Sequence, residues 1–131
     1  MKCVKLIIVA ILMVSIVSVS QAEGISTYAD LNSYRVRTYL EEDGTAYVSV
    51  LTTHIAETIS VNSCVLQCYD GGAWRTVCSI SMPGTIENSM KYVNTANCAA
   101  ACEDGNTYRI TVSFLIDGNT TNTYSSASTT F

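Results

Sequence analysis

The segment Ser60 to Ser81, SVNSCVLQCYDGGAWRTVCSIS, constrains the fold of this chain more than any other. Two runs rich in strand-forming residues flank Asp70-Gly71-Gly72, and such runs around adjacent glycines read as a β-hairpin. The segment holds three of the six cysteines and the only tryptophan. No nucleophile, base and orienting group are spaced within it as an active site requires.

The rest of the chain repeats the pattern. Tyr34-Arg35-Val36-Arg37-Thr38-Tyr39-Leu40 alternates, Glu41-Glu42-Asp43-Gly44 turns, and Thr45-Ala46-Tyr47-Val48-Ser49-Val50-Leu51-Thr52 alternates again. This predicts a second hairpin. Ala56 to Thr58 reads as a connection, and Pro83-Gly84 breaks the chain. Ile86, Met90, Tyr92 and Ala96 share one parity, opposite Glu87, Lys91 and Thr95, which predicts one buried and one wet face. After the turn-rich link Asn97 to Asn106, the residues Tyr108, Ile110, Val112, Phe114 and Ile116 alternate with Arg109, Thr111 and Ser113. The first set is expected inside and the second mostly exposed. Asp117-Gly118 turns the chain into a last strand rich in Thr and Ser, Asn119 to Phe131. About seven strands at intervals of roughly 8 to 12 residues predict an all-β chain, a single antiparallel β-sandwich over residues 33–131.

Ahead of that domain, Lys2 and Lys5 precede an apolar run from Leu6 to Val19, and Ser20-Gln21-Ala22 places small residues where a signal peptidase reads. A 14-residue run is shorter than the roughly 20 residues a membrane span needs. Residues 1–22 are therefore expected to be a signal peptide, and 23–32 a flexible lead-in. Without Lys2 and Lys5, five basic residues stand against eleven acidic ones, a formal charge of about −6. Such a chain repels phosphate backbones, which excludes nucleic acid as the expected partner. The expected location is secreted and extracellular, with no membrane association after cleavage, in a space where disulfides persist.

Two resemblances follow from particular residues. The run Gly105-Asn106-Thr107-Tyr108 resembles the Gly-x-x-Tyr that leads into the sixth strand of fibronectin type III domains. There the tyrosine locks a corner by bonding back to the chain, and Tyr108 would be that residue. The sandwich is thus expected to be immunoglobulin- or fibronectin type III-like, although the immunoglobulin Cys, Trp, Cys spacing is absent. The succession Val48-Ser49-Val50-Leu51-Thr52, Cys64-Val65-Leu66-Gln67, Gly72-Ala73-Trp74-Arg75-Thr76-Val77 and Tyr108-Arg109-Ile110 resembles a family of small secreted proteins of unknown function from Gram-positive, clostridia-like bacteria. That likeness implies secretion and a sandwich, and no chemistry.

Candidate chemistry is sparse. His54 is the only histidine, and neither a triad nor a metal site is made by one imidazole alone. The acids Glu41-Glu42-Asp43 and Glu103-Asp104 are neighbours in turns, where they point apart rather than across a cleft. Asp117-Gly118-Asn119 lacks the ligand spacing of a calcium loop. Cys64-x-x-x-Cys68 with Cys98-x-x-x-Cys102 has the spacing of a four-thiolate zinc site, but an oxidising compartment favours disulfides. No cofactor and no catalytic residue is expected.

The thiols carry a sharper expectation. Cys3 leaves with the signal, so five cysteines remain. An odd number leaves one free or paired to another molecule, which permits a disulfide-linked dimer. A three-residue loop at Asp70-Gly71-Gly72 sets Cys64 opposite Cys78. A two-residue loop at Gly71-Gly72 sends them to opposite faces, with Cys78 opposite Val65. The three-residue loop and a Cys64–Cys78 bridge are the expectation, with Cys98 and Cys102 closing their own loop or one of them reaching Cys68. What remains for function is a surface rich in Tyr, Thr, Ser and Asn, a composition suited to adaptable contacts. The expected role is a non-enzymatic extracellular binding or interaction module for an unknown protein or glycan. The alternative is a secreted enzyme or enzyme inhibitor on the same scaffold.

Overall fold

Strand-forming residues dominate from Tyr34 onward, and in the computed structural model, which describes residues 26–27 and 34–131, nearly all of them pair. The elements are β1 (Ser26–Thr27), β2 (Tyr34–Leu40), β3 (Thr45–Asp70), β4 (Ala73–Ser79), β5 (Thr85–Asn97), a single 3-10 turn (Ala99–Ala101), β6 (Thr107–Ile116), β7 (Asn119–Thr120), β8 (Tyr124–Ser125) and β9 (Thr129–Thr130). All pairings are antiparallel. The all-β antiparallel sandwich expected from the sequence is the fold of this chain. The expected signal peptide and the fate of Cys3 lie outside the described residues.

The sandwich is built around β3, a strand of 26 residues. Its first part lies between β2 and β5, where Val50 faces Val36 on one side and Tyr92 on the other. Its last part lies between β4 and β6, where Leu66 faces Cys78 and Ile110. One layer is therefore β1-β2-β3-β5, and the other is β4-β3-β6 with β7, β8 and β9 along the outer edge of β6. β3 thus fuses two strands, one in each layer. The segment Ala56 to Thr58, expected to be a connection, continues β3.

Fusion requires a bend, and the register supplies it. Between Leu51 and Ala56 the β3–β5 ladder is interrupted, and between Val61 and Ser63 the β3–β6 ladder slips by one residue. Extra residues in one strand bend it and increase its twist. Asp117 supports the corner: its Oδ1 accepts the amides of Glu57 at 2.7 Å and Thr58 at 3.0 Å. Asp117 itself has φ 52, a left-handed conformation that short polar side chains tolerate.

The layers meet through one apolar core. Val36, Val48, Val50, Ile59, Leu66, Ile110, Val112 and Phe114 are fully shielded. Aromatic pairs cross between layers: Tyr92 meets Phe114 edge-on with centroids 5.9 Å apart, and Tyr34 meets Tyr124 at 6.2 Å. The inward set of β6 is as expected, but Thr111 and Ser113 are buried and Arg109 is half-buried, not exposed. A central strand is covered by its neighbours on the outer face as well; Asn62 Nδ2, for instance, donates to Ser113 Oγ at 3.1 Å. Ile86 and Met90 are exposed, against expectation. Met90 stands opposite the β3 bend, where the ladder is broken.

The hairpin at the centre of the sequence turns on two residues, not three. Asp70 faces Ala73, and Gly71 and Gly72 have φ 65 and 88. Positive φ at both central positions is the turn whose twist matches a hairpin. A bulge between Leu66 and Gln67 then shifts the later register, so that Leu66 faces Cys78 and Val65 faces Ser79. Cys64 thus does not stand opposite Cys78, as the three-residue loop would have it.

The corner expected at Tyr108 is formed. The buried Tyr108 hydroxyl accepts the backbone N–H of Glu103 at 2.8 Å and lies 3.5 Å from Asn106 Nδ2. Tyr108→Phe keeps the ring and strands that N–H. The expected loss is about 1 to 3 kcal/mol of stability, read as a lower urea midpoint with an unchanged slope.

Candidate functional site

The outward side of the β1-β2-β3-β5 layer is built from the polar parity of three strands. The register aligns Arg35 with Leu51 and Lys91, Arg37 with Ser49 and Val93, and Tyr39 with Tyr47 and Thr95. None of these residues is acidic. Tyr39, Leu51 and Val93 are 46%, 42% and 44% exposed. Three large apolar side chains on one short stretch of sheet exceed what scattered surface residues would give. The Tyr39 and Tyr47 rings lie 5.2 Å apart at an interplanar angle of 37°, so each limits the rotamers of the other. Ser49 is buried between Arg37 and Val93, and Arg35, Arg37 and Lys91 are exposed.

The result is a face of aromatic and aliphatic side chains crossed by three cations. Those three are among the five basic residues of the chain beyond Lys5, which otherwise carries eleven acids. The face is therefore opposite in sign to the molecule. Rigid aromatic side chains and arginine are the types that anchor interfaces. The aromatic, aliphatic and cationic side chains it presents are of the types that contact another surface.

A second aromatic group sits on the outward side of the other layer. Tyr69 and Trp74 face each other with centroids 5.1 Å apart, and the Arg109 guanidinium lies 4.4 Å from the Trp74 ring centre. Arg109 Nε also donates to Gln67 Oε1 at 2.8 Å. Burial lowers the Arg109 pKa from its ordinary value. The cation is thus already stacked and hydrogen-bonded within the fold. This group braces the β4-β3-β6 layer.

His54 is exposed at the β3 bend, with Nδ1 3.1 Å from the neighbouring Thr53 Oγ1. The turn acids Glu41, Glu42 and Asp43 are exposed. Asp43 Oδ1 accepts the Thr45 N–H at 2.9 Å, and the Thr45 bonds hold its carboxyl below the usual carboxylate range. It is a turn cap. Tyr108 is a corner, as described. Among the described residues no group of three or more His, Cys, Asp or Glu is arranged to hold a metal ion.

Of the cysteines named from the sequence, Cys64, Cys78, Cys98 and Cys102 are free thiols. Cys68 is fully buried and disulfide-bonded, so none of these four is its partner. Cys64 and Cys98 belong to the core, with Cys78 and Cys102 packed against it. Sequence reading picked out the tyrosines as a class. It missed that Arg35, Arg37 and Lys91 share their face, because the register that aligns them joins residues far apart in the chain.

No family model matches the chain, and no curated protein matches it. Among solved structures it is similar to the GAE domain of GGA2p from Saccharomyces cerevisiae, at 10% identity and a TM-score of 0.28, covering 85% of this chain and 97% of that one. The fold assignment rests on the strand pairing and the Tyr108 corner, not on that likeness.

Proposed function

We propose that the protein is a secreted, non-enzymatic interaction module that binds an extracellular protein bearing acidic groups, through the outward face of β2, β3 and β5. The observation that carries this reading is the Tyr39–Tyr47 pair, exposed at Tyr39 and half-buried at Tyr47, on a sheet face with Leu51, Val93, Arg35, Arg37 and Lys91. Aliphatic side chains on the same face as the aromatics favour a protein surface over a sugar. The cations favour carboxylates, and on a chain of opposite net charge they also set the orientation of approach. The leader-like first 22 residues and the resemblance to small secreted proteins of Gram-positive, clostridia-like bacteria support the extracellular setting. Export would leave the protein free of the membrane.

The test is capture from extracellular protein extracts by the immobilised protein and by an R35E/R37E variant, over a series of salt concentrations. The expected result is a retained acidic protein whose binding weakens with salt and falls at least about tenfold in the variant, while the melting temperature stays put. Equal capture by both forms removes the face from the reading. Retention of polysaccharide alone would reassign it to a glycan.

A further inference from the structure

The outward face of β2, β3 and β5 has unlike ends. Arg35, Leu51 and Lys91 lie level at one end, Arg37, Ser49 and Val93 come next, and Tyr39, Tyr47 and Thr95 follow. One step further stand the acids of the β2–β3 turn. Glu41 N–H donates to Thr45 O at 2.9 Å, which carries the pairing past Leu40 and puts Glu41 on the same side as Tyr39. Asn97 Nδ2 donates to Asp43 O at 3.2 Å, which holds the turn against the end of β5, the strand that carries Lys91. Glu41, Glu42 and Asp43 are exposed. Cations thus stand at one end of the face and acids at the other, with the exposed Tyr39 and Val93 between them.

We propose that the partner of this face is a second copy of the chain, docked face to face about a two-fold axis that lies between the copies and crosses the strands near Thr38. This rests on the reading of the face as the protein's interface. A two-fold interface must complement itself. An axis running along the strands would set cations over cations. An axis across them reverses their direction, and near Thr38 it brings Arg35 level with the partner's Glu41 and Lys91 towards the partner's Asp43. Arg37 then meets the partner's Tyr39, and Tyr39 the partner's Arg37, a stacking that guanidinium and tyrosine favour. Sheets packed face to face cross at about 30°, which leaves these levels matched.

The size of the face sets the strength. Seven residues of β2 at about 3.4 Å each, on three strands about 4.8 Å apart, cover about 24 Å by about 14 Å. That belongs to the weak end of protein interfaces, so the dimer is reversible and depends on concentration. Each copy beyond Lys5 carries a formal charge of about −6, which opposes approach at long range. Physiological salt screens such repulsion beyond about 8 Å and leaves the contacts at the face.

The experiment is sedimentation equilibrium of the purified protein at physiological salt, from micromolar to millimolar concentration. The expected mass climbs from one chain towards two and returns to one on dilution, which a disulfide-linked pair would not do. R35E/R37E and E41K/E42K should each weaken association at least about tenfold with unchanged melting temperatures. Their equimolar mixture should associate again, because a face acidic at both ends then meets one cationic at both ends. A mixture no stronger than either variant alone overturns the proposal, as does a dimer that neither variant weakens. A wild type that stays single at millimolar concentration, while its capture of an acidic protein still falls in R35E/R37E, keeps the face as an interface and overturns the second copy. One that stays single and shows no such fall loses both.

Discussion

Replacing Gly44 by alanine is expected to cost about 2 to 5 kcal/mol. Gly44 has φ 90, and a Cβ built there would lie 2.5 Å from Ala99 Cβ and 2.7 Å from the Ala99 backbone. A left-handed conformation costs a residue with a side chain about 1 to 2 kcal/mol, and forcing extra volume into a packed contact about 1 to 3 kcal/mol more. The approach is close because the turn after β5 docks on the turn before β3. Gly44 O accepts Cys98 N–H at 2.9 Å. Gly71→Ala is the control: its φ is 65, with nothing within 4 Å, so only the conformational part should appear. Thermal or urea melts of the two variants separate the contributions. Equal losses would mean that the Gly44–Ala99 contact carries no energy.

Phe114→Ala should be comparably severe. The ring is fully shielded and meets Tyr92 across the layers, and truncating a buried phenylalanine costs about 3 to 5 kcal/mol. A domain of this size has about 5 to 15 kcal/mol in all, and each kcal/mol moves Tm by about 4 to 8 °C. A double-mutant cycle with Tyr92→Leu should return a coupling of about 0.5 to 1.5 kcal/mol for the edge-on pair. A coupling of zero, or a Phe114→Ala melt matching wild type, would place the ring outside the core.

Parity made part of this fold legible in the sequence. Tyr108, Ile110, Val112, Phe114 and Ile116 alternate without interruption in β6 and point inward as read. The Tyr108 corner was legible because it depends on a local spacing. β3 was harder, because its inward set changes parity twice: Val48 and Val50, then Ile59, then Cys64, Leu66 and Cys68. Each change coincides with an irregularity in pairing, which local alternation does not encode. The central loop failed for a related reason. Asp70-Gly71-Gly72 suits two loop lengths, and the bulge after Leu66 shifts the register once more. The candidate face was legible only as a surplus of tyrosine. Placing Arg35 beside Leu51 and Lys91 takes a ladder across three strands.

A strand that passes from one layer to the other without a loop also ties their fates. In a sandwich whose layers are joined by flexible connections, one can fray while the other holds. Here β2 and β5 can leave the first layer only by exposing the amides of the same strand that β4 and β6 pair with further on. Partial opening is therefore expected to propagate along a shared backbone, so that the two layers melt as a single cooperative unit.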